Sequence, residues 1–350
     1  MAPGIARKSS RKATTIKQLA DHVGVHISTV SRSLNPETRS LIGPNVVQRV
    51  IAAADKLGYV PNSVASALRK GRSRTVGILI PDLMNPVFPP FIRGIQDTMD
   101  AAGYTAIIAN SDGKKDYERI VVQRMRARLV DGLILATASF RDDPAIAECV
   151  REGIPVVLIN RGSDNSRISA VVNDDRLGIA AAVDHLADLG HVRIAHLAGP
   201  QATYTGIVRY EAFVESMRAR GLAADRDLVV FADGYTIPAG EQACGQLIEG
   251  KHSFSAVIAA NDQLALGCLD RLKAAGRRCP ADVSLVGFND MPLVDRIDPP
   301  LTTLRIQHYE MGAEAARILL EELRDAESPA RTVMLKPQLV VRGSTAGAGK

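Results

Sequence analysis

From Thr75 onward the chain alternates short apolar runs with amphipathic segments, and it does so twice. TVGILIPD, YTAIIANSD, DGLILAT and IPVVLINR are separated by stretches with helical spacing such as Phe88 to Ala102 and Tyr117 to Leu129. ISAVVND, VRIAHLAGP, DLVVFAD, SAVIAAND and DVSLVGFND then form a second set. Strands apolar at nearly every position are buried on both faces, as in parallel sheets. Strand–helix alternation of this kind specifies a doubly wound α/β sheet. Two sets exceed one compact sheet, so the expectation is two α/β lobes facing each other across a cleft. Ligands of such sheets bind beyond the carboxyl ends of the strands. Several runs here end in polar residues: Asp82, Asn110, Asn160, Asp233, Asn261 and Asn289.

The region before Thr75 has a different texture. In TIKQLADHVGVHISTVSRSLN, Ile16, Leu19, Ala20 and Val23 recur at helical spacing, and Gly24 breaks the helix. Val30 and Leu34 supply the inner face of a second helix, and small Ala20 permits close helix packing. This is a helix-turn-helix pattern, whose second helix enters the major groove of DNA. An ordinary helical hairpin would share it. The outer face of the second helix carries Ser28, Thr29, Ser31, Arg32 and Asn35, short hydrogen bonders plus one arginine. A third helix is expected from about Asn45 to Leu57. The following SVASALRKGRSR is too short to be a stable helix alone and reads as a linker that becomes helical when supported.

Charge supports a nucleic-acid contact at this end. Residues 1–74 hold thirteen Lys/Arg and three Asp/Glu, whereas the remainder holds thirty and thirty-five. A membrane-binding arm would also need aromatic residues on an apolar face, and this region has Tyr59 alone. No apolar run approaches a membrane span, and the N-terminus lacks the apolar core of a secretory signal, which points to the cytoplasm. Cys149, Cys244, Cys268 and Cys279 are too scattered for a disulfide framework or zinc site and read as buried thiols. His185, His191 and His196 span a helix end and a strand, which favours structural roles over a metal site. No metal or cofactor is expected.

The motifs TIKQLADHVGVHISTVSRSLN, GYVPNSVASALRKG, TVGILIPDLMNPVF, HLADLGHVRIAHLAGP, AANDQLALG and VGFND…DPPLTTLR resemble, in order, those of the LacI/GalR family of bacterial transcription regulators. The resemblance spans about Thr14 to Arg342. It implies an α/β protein with an all-α helix-turn-helix headpiece and a two-lobed doubly wound core of the periplasmic-binding-protein type. The implied partners are a second copy of the chain in a homodimer, a palindromic operator DNA and a small-molecule effector. The expected organisation is a disordered basic arm over 1–14, a headpiece over 15–60, and a hinge helix over 61–73. The core follows over 74–342, with lobe boundaries near 161 and 290, and a disordered tail over 343–350.

Carried across residue by residue, the resemblance places Thr15, His26, Ile27, Ser28, Thr29, Arg32 and Asn35 at the DNA. Ile27 cannot donate to a base, so contact with a thymine methyl is its expected readout. For His26, a phosphate contact and a helix cap are both open. Asn62, Ala65 and Leu68 match the hinge helix, whose leucine wedges into the minor groove. Phe88, Asn160, Thr205, Arg209, Tyr235, Asn261 and Asn289 match effector-contact positions. Members binding neutral sugars or purines commonly carry carboxylates where this chain has Asn160 and Asn289. With Arg209 retained as a cation and Arg161 beside Asn160, those amides suggest an anionic effector: a sugar acid, sugar phosphate or hydroxy-carboxylate, against an uncharged sugar as the competing reading. A periplasmic-type solute receptor would share the core, but not the basic headpiece. An enzyme is not expected, since the chain has no P-loop, G-x-S-x-G or H-E-x-x-H motif.

Overall fold

The computed structural model describes residues 14–35, 38–59 and 72–349. Contacts divide the chain into two compact units that meet between Ser73 and Arg74.

Among its described residues, the first unit contains three α-helices: α1 (Ile16–Val23), α2 (Ile27–Leu34) and α3 (Pro44–Leu57). Thr15 caps α1 in a reciprocal box with Gln18, which satisfies donors that the helix itself cannot. Gly24 ends α1 at φ 71°, a conformation that glycine adopts without strain. Leu19, Ala20, Val23, Val30, Val50, Ala53 and Ala54 form the core, and half-buried Val25 and Leu34 pack against it. Arg49 Nη2 donates to the carbonyl of Val23 at 2.6 Å and ties α3 to the end of α1. Thr14, placed in the arm by the sequence reading, instead donates its hydroxyl to Leu57 O at 2.8 Å.

The second unit has two six-stranded sheets. The first runs β11-β5-β4-β3-β1-β2, where β1 is Thr75–Ile80, β2 Thr105–Asn110, β3 Gly132–Leu135, β4 Val156–Ile159, β5 Ser169–Asn173 and β11 Thr332–Leu335. All its pairings are parallel. The second runs β12-β10-β9-β8-β6-β7, with β6 Ile194–Ala198, β7 Val229–Phe231, β8 Ala256–Ala259, β9 Ser284–Asn289, β10 Thr302–Arg305 and β12 Gln338–Val340. Only the β10–β12 pairing in it is antiparallel. Helices α4 (Phe88–Ala101), α5 (Lys115–Ala127), α6 (Pro144–Arg151) and α11 (His308–Arg324) serve the first sheet. Helices α7 (Asp175–Asp188), α8 (Tyr204–Ala219), α9 (Ile237–Glu249) and α10 (Asp262–Ala274) serve the second.

The lobe boundaries differ from those expected near 161 and 290. β5 pairs with β4 in the first sheet, Leu158 opposite Ala170, so the chain leaves that lobe only after Asn173. β10 still belongs to the second sheet, so the return comes near residue 306, and a third crossing lies between β11 and β12. β5 is apolar like its neighbours, and no local pattern says which sheet a buried strand joins. The tail is a second correction. Ser344 is buried, its Oγ accepting from Thr302 N at 2.8 Å and donating to Leu285 O at 2.6 Å. Small polar residues can be ordered when buried backbone groups need them as partners.

Close helix packing sets the first lobe. Gly94 of α4 and Gly312 of α11 sit at the crossing, where a Cβ on either would meet backbone of the other helix, Tyr309 O or Phe91 O. The four cysteines are free thiols, three of them buried. Among the described residues, no helix is long and apolar enough to cross a membrane.

Candidate DNA and effector sites

Two surfaces gather the expected functional residues, one in each unit. On α2, Ser28 and Arg32 are exposed, Thr29 and Ser31 half-buried, and Ile27 is 39% exposed. This leaves a short polar face with one apolar contact and one cation, backed by Val30 in the core. His26 is the N-cap of α2. Its Nδ1 accepts from Ser28 N at 3.2 Å and lies 2.8 Å from Ser28 Oγ. The geometry thus assigns a capping role to a residue for which the sequence left two. Asn35 closes the helix as C-cap. Asn62, Ala65 and Leu68, assigned to the hinge, lie outside the described residues.

In the second unit a cleft of about 580 Å³ opens between the carboxyl ends of the two sheets. Phe88, Asn160, Arg161, Thr205, Arg209, Tyr235, Asn261 and Asn289 all line it. The strand ends dictate this. Asn160 follows β4 and Asn289 ends β9, and both have positive φ, 65° and 119°, in the left-handed region that asparagine tolerates better than most residues. Of the six polar strand ends, all but Asn110 face the cleft; Asn110 Oδ1 accepts from Leu83 N instead. Asn261 caps α10 through its Oδ1, which accepts from Leu264 N at 2.8 Å, so its amide nitrogen remains for a ligand. Thr205 Oγ1 and Tyr235 OH lie 2.9 Å apart, and Phe88 is buried at the start of α4.

Arg209 and Lys115 in the cleft each have an acidic partner. Arg209 donates through Nε to Asp175 Oδ1 at 3.0 Å and through Nη1 to Ala260 O at 2.5 Å, and its Nη2 is ion-paired with the same Oδ1 at 2.9 Å. Its guanidinium carbon stands 3.6 Å from the ring centroid of Phe288. Lys115 Nζ lies 2.8 Å from Glu118 Oε2 and 3.5 Å from Asp143 Oδ2. Burial pushes the Glu118 carboxyl above its ordinary range, against the pull of Lys115. Burial also lowers the Arg161 pKa, opposed by Tyr235, Glu118 and Asp143. Arg161 Nη1 makes one long bond, 3.4 Å, to Thr137 O. Asp290 turns away from the cleft, accepting from Arg305 and Arg342, each at 2.6 Å.

Sequence reasoning missed Lys115, Glu118 and Asp175. A Lys-x-x-Glu step on a helix resembles any solvated pair, and Asp174–Asp175 reads as a helix cap, which Asp174 indeed is. The three histidines sit apart in function. His185 contacts Thr345 Oγ1, His191 contacts Ser255 and Ser284, and His196 contacts Ile258 O.

A helical unit whose second helix carries an exposed polar face, and a two-lobed α/β core with a polar interlobe cleft, together define a helix-turn-helix protein with a core of the periplasmic-binding-protein type. Family models agree: residues 15–62 match bacterial regulatory proteins of the lacI family, and residues 183–345 match a periplasmic binding protein-like domain. The chain is 32% identical to the ribose operon repressor of Halalkalibacterium halodurans, covering 95% of this chain and 98% of that protein. It is 34% identical to the regulator MalR of Streptomyces coelicolor, over 96% and 97%. The operator-bound Lac repressor dimer superposes with a TM-score of 0.86 at 25% identity, covering 96% and 100%. The CelR–cellobiose complex gives 0.74 at 29% identity, over 95% and 99%. The chain belongs to the lacI family: it is a DNA-binding transcriptional regulator and not an enzyme.

Proposed function

We propose that this protein is a cytoplasmic repressor that binds a palindromic operator as a homodimer, and that an uncharged sugar in the cleft controls its operator affinity. Ser28, Thr29 and Arg32 contact bases and phosphates, with Ile27 against a thymine methyl and Thr15 and Asn35 at the backbone. The cleft reading rests on one observation: amide and hydroxyl groups from both lobes converge on a space where one of the two lining arginines, Arg209, is already neutralised by Asp175. Hydroxyl groups of a sugar can donate to and accept from Asn160, Asn261 and Asn289, while Tyr235 and Phe88 offer apolar faces. Relatives named for ribose, and solved structures containing cellobiose or ribose, support a sugar.

This revises the expectation of an anionic effector, because that argument counted Arg209 as a free cation. A sugar acid or sugar phosphate remains the second reading, favoured by Arg161 and its single long hydrogen bond. The test is a thermal-shift screen of pentoses, hexoses, disaccharides and their acids and phosphates, followed by operator binding at fixed salt with each hit. A sugar that raises the melting temperature and changes operator affinity supports the proposal. Operator binding unaffected by every cleft ligand refutes it.

A further inference from the structure

We propose that Asp175 sets the charge selectivity of the cleft: it positions the Arg209 guanidinium as a neutralised hydrogen-bond donor, so that uncharged ligands are accepted and anions rejected. The inference rests on the reading of the cleft as an effector site, and it assigns a specificity role to a residue that does not itself line the space.

The geometry carries it. Arg209 lies on α8 and Asp175 at the start of α7, and both side chains are almost wholly buried, at 3% and 1% exposure. Two guanidinium nitrogens converge on the single oxygen Oδ1. A third, Nη1, is held by Ala260 O, and Phe288 lies beneath the guanidinium plane. Nε and Nη1 are hydrogen-bonded and Nη2 is ion-paired, which fixes the guanidinium and leaves part of its N–H capacity for a ligand in the cleft it lines. Oδ2 of Asp175 is buried without a hydrogen-bond partner, so the carboxylate oxygen turned from Arg209 carries charge that no donor offsets. An anion reaching Arg209 would therefore meet this charge one side chain away, in surroundings where Coulomb forces are poorly screened. A sugar hydroxyl meets only a dipole.

A purely architectural ion pair would hold the lobe together and leave ligand charge preference unmoved. The experiment reads that preference. Full-length wild type, Asp175→Asn and the double variant Asp175→Asn/Arg209→Gln are titrated calorimetrically with D-ribose, D-ribonate, D-glucose, D-gluconate and inorganic phosphate, at low and high salt. Asp175→Asn retains an acceptor for Arg209 and uncovers its charge. It is expected to bind at least one of the three anions about tenfold or more tighter than wild type, with affinity falling as salt rises. The double variant is expected to lose that gain. A folded Asp175→Asn protein that binds anions no better than wild type overturns the proposal. So does wild type that prefers an aldonate over its aldose, a measurement that stands even if the variant does not fold. If no sugar binds wild type while Asp175→Asn gains anion affinity, the sugar reading fails and the selectivity role of Asp175 survives.

Discussion

Thr303 Oγ1 donates to Asp262 Oδ1 at 2.5 Å, across the interior of the second lobe, while Met291 N donates to the other carboxylate oxygen at 2.8 Å. These bonds join the start of α10 to β10 and to the turn after Asn289, and so help hold one wall of the cleft. A side chain at Gly287 would collide with the same carboxylate. Burial pushes the Asp262 pKa up to about 7, Asp290 adding to the rise and Arg209 opposing it.

The pH dependence follows from that shift. The folded chain keeps this proton where the unfolded chain, near the ordinary 3.8, has lost it. The contribution to stability is complete below about pH 4 and is lost as pH rises through about 7. Asparagine mimics the protonated acid, its amide donating to Thr303 and its oxygen accepting from Met291. Thermal unfolding of wild type should fall in midpoint between about pH 5 and pH 8, and Asp262→Asn should flatten that slope. An equal slope in both proteins would show that Asp262 is not the titrating group.

His26 is expected to matter for folding of the headpiece. His26→Ala removes the cap of α2 and should cost about 1 kcal/mol, whereas His26→Ser should retain most of it. Denaturant unfolding of the headpiece distinguishes the two. Equal stability in both variants would leave the cap without energetic weight.

Arg32→Ala should weaken operator binding several-fold and reduce its salt dependence, with sugar binding in the cleft unchanged. Fluorescence anisotropy at two salt concentrations measures the first effect and calorimetry the second. Unchanged operator affinity would move the recognition surface away from α2.

The helix crossing in the first lobe has little tolerance. Gly94→Ala places a methyl against Tyr309 O and should destabilise the core unit by about 1–3 kcal/mol. Differential scanning calorimetry of this variant, beside the exposed Gly347→Ala as control, reads the difference.

Ser344 gives a test of the ordered tail. Ser344→Ala leaves Thr302 N and Leu285 O each short of a side-chain partner and should cost about 1–3 kcal/mol. Removal of residues 343–350 should cost more. A melting temperature unchanged by truncation would mean that these contacts contribute nothing.

By itself, the sequence determined the elements and their class. Helical spacing in Ile16–Leu34 and unbroken apolar runs such as Val76–Ile80 are local signals, because side-chain direction repeats within a few residues. The polar residues at strand ends were legible for the same reason, and with them most of the cleft. Tertiary structure alone decided three things. β5 and β11 joined the first sheet through pairings across long stretches of chain, which no window of sequence contains. Residues 343–349 became ordered because distant backbone groups at Leu285 and Thr302 needed partners. The charge of Arg209 was cancelled by Asp175, thirty-four positions earlier, because α7 and α8 pack side by side. Formal charge can be counted along a chain, but the field inside a cleft depends on which charges burial brings into contact.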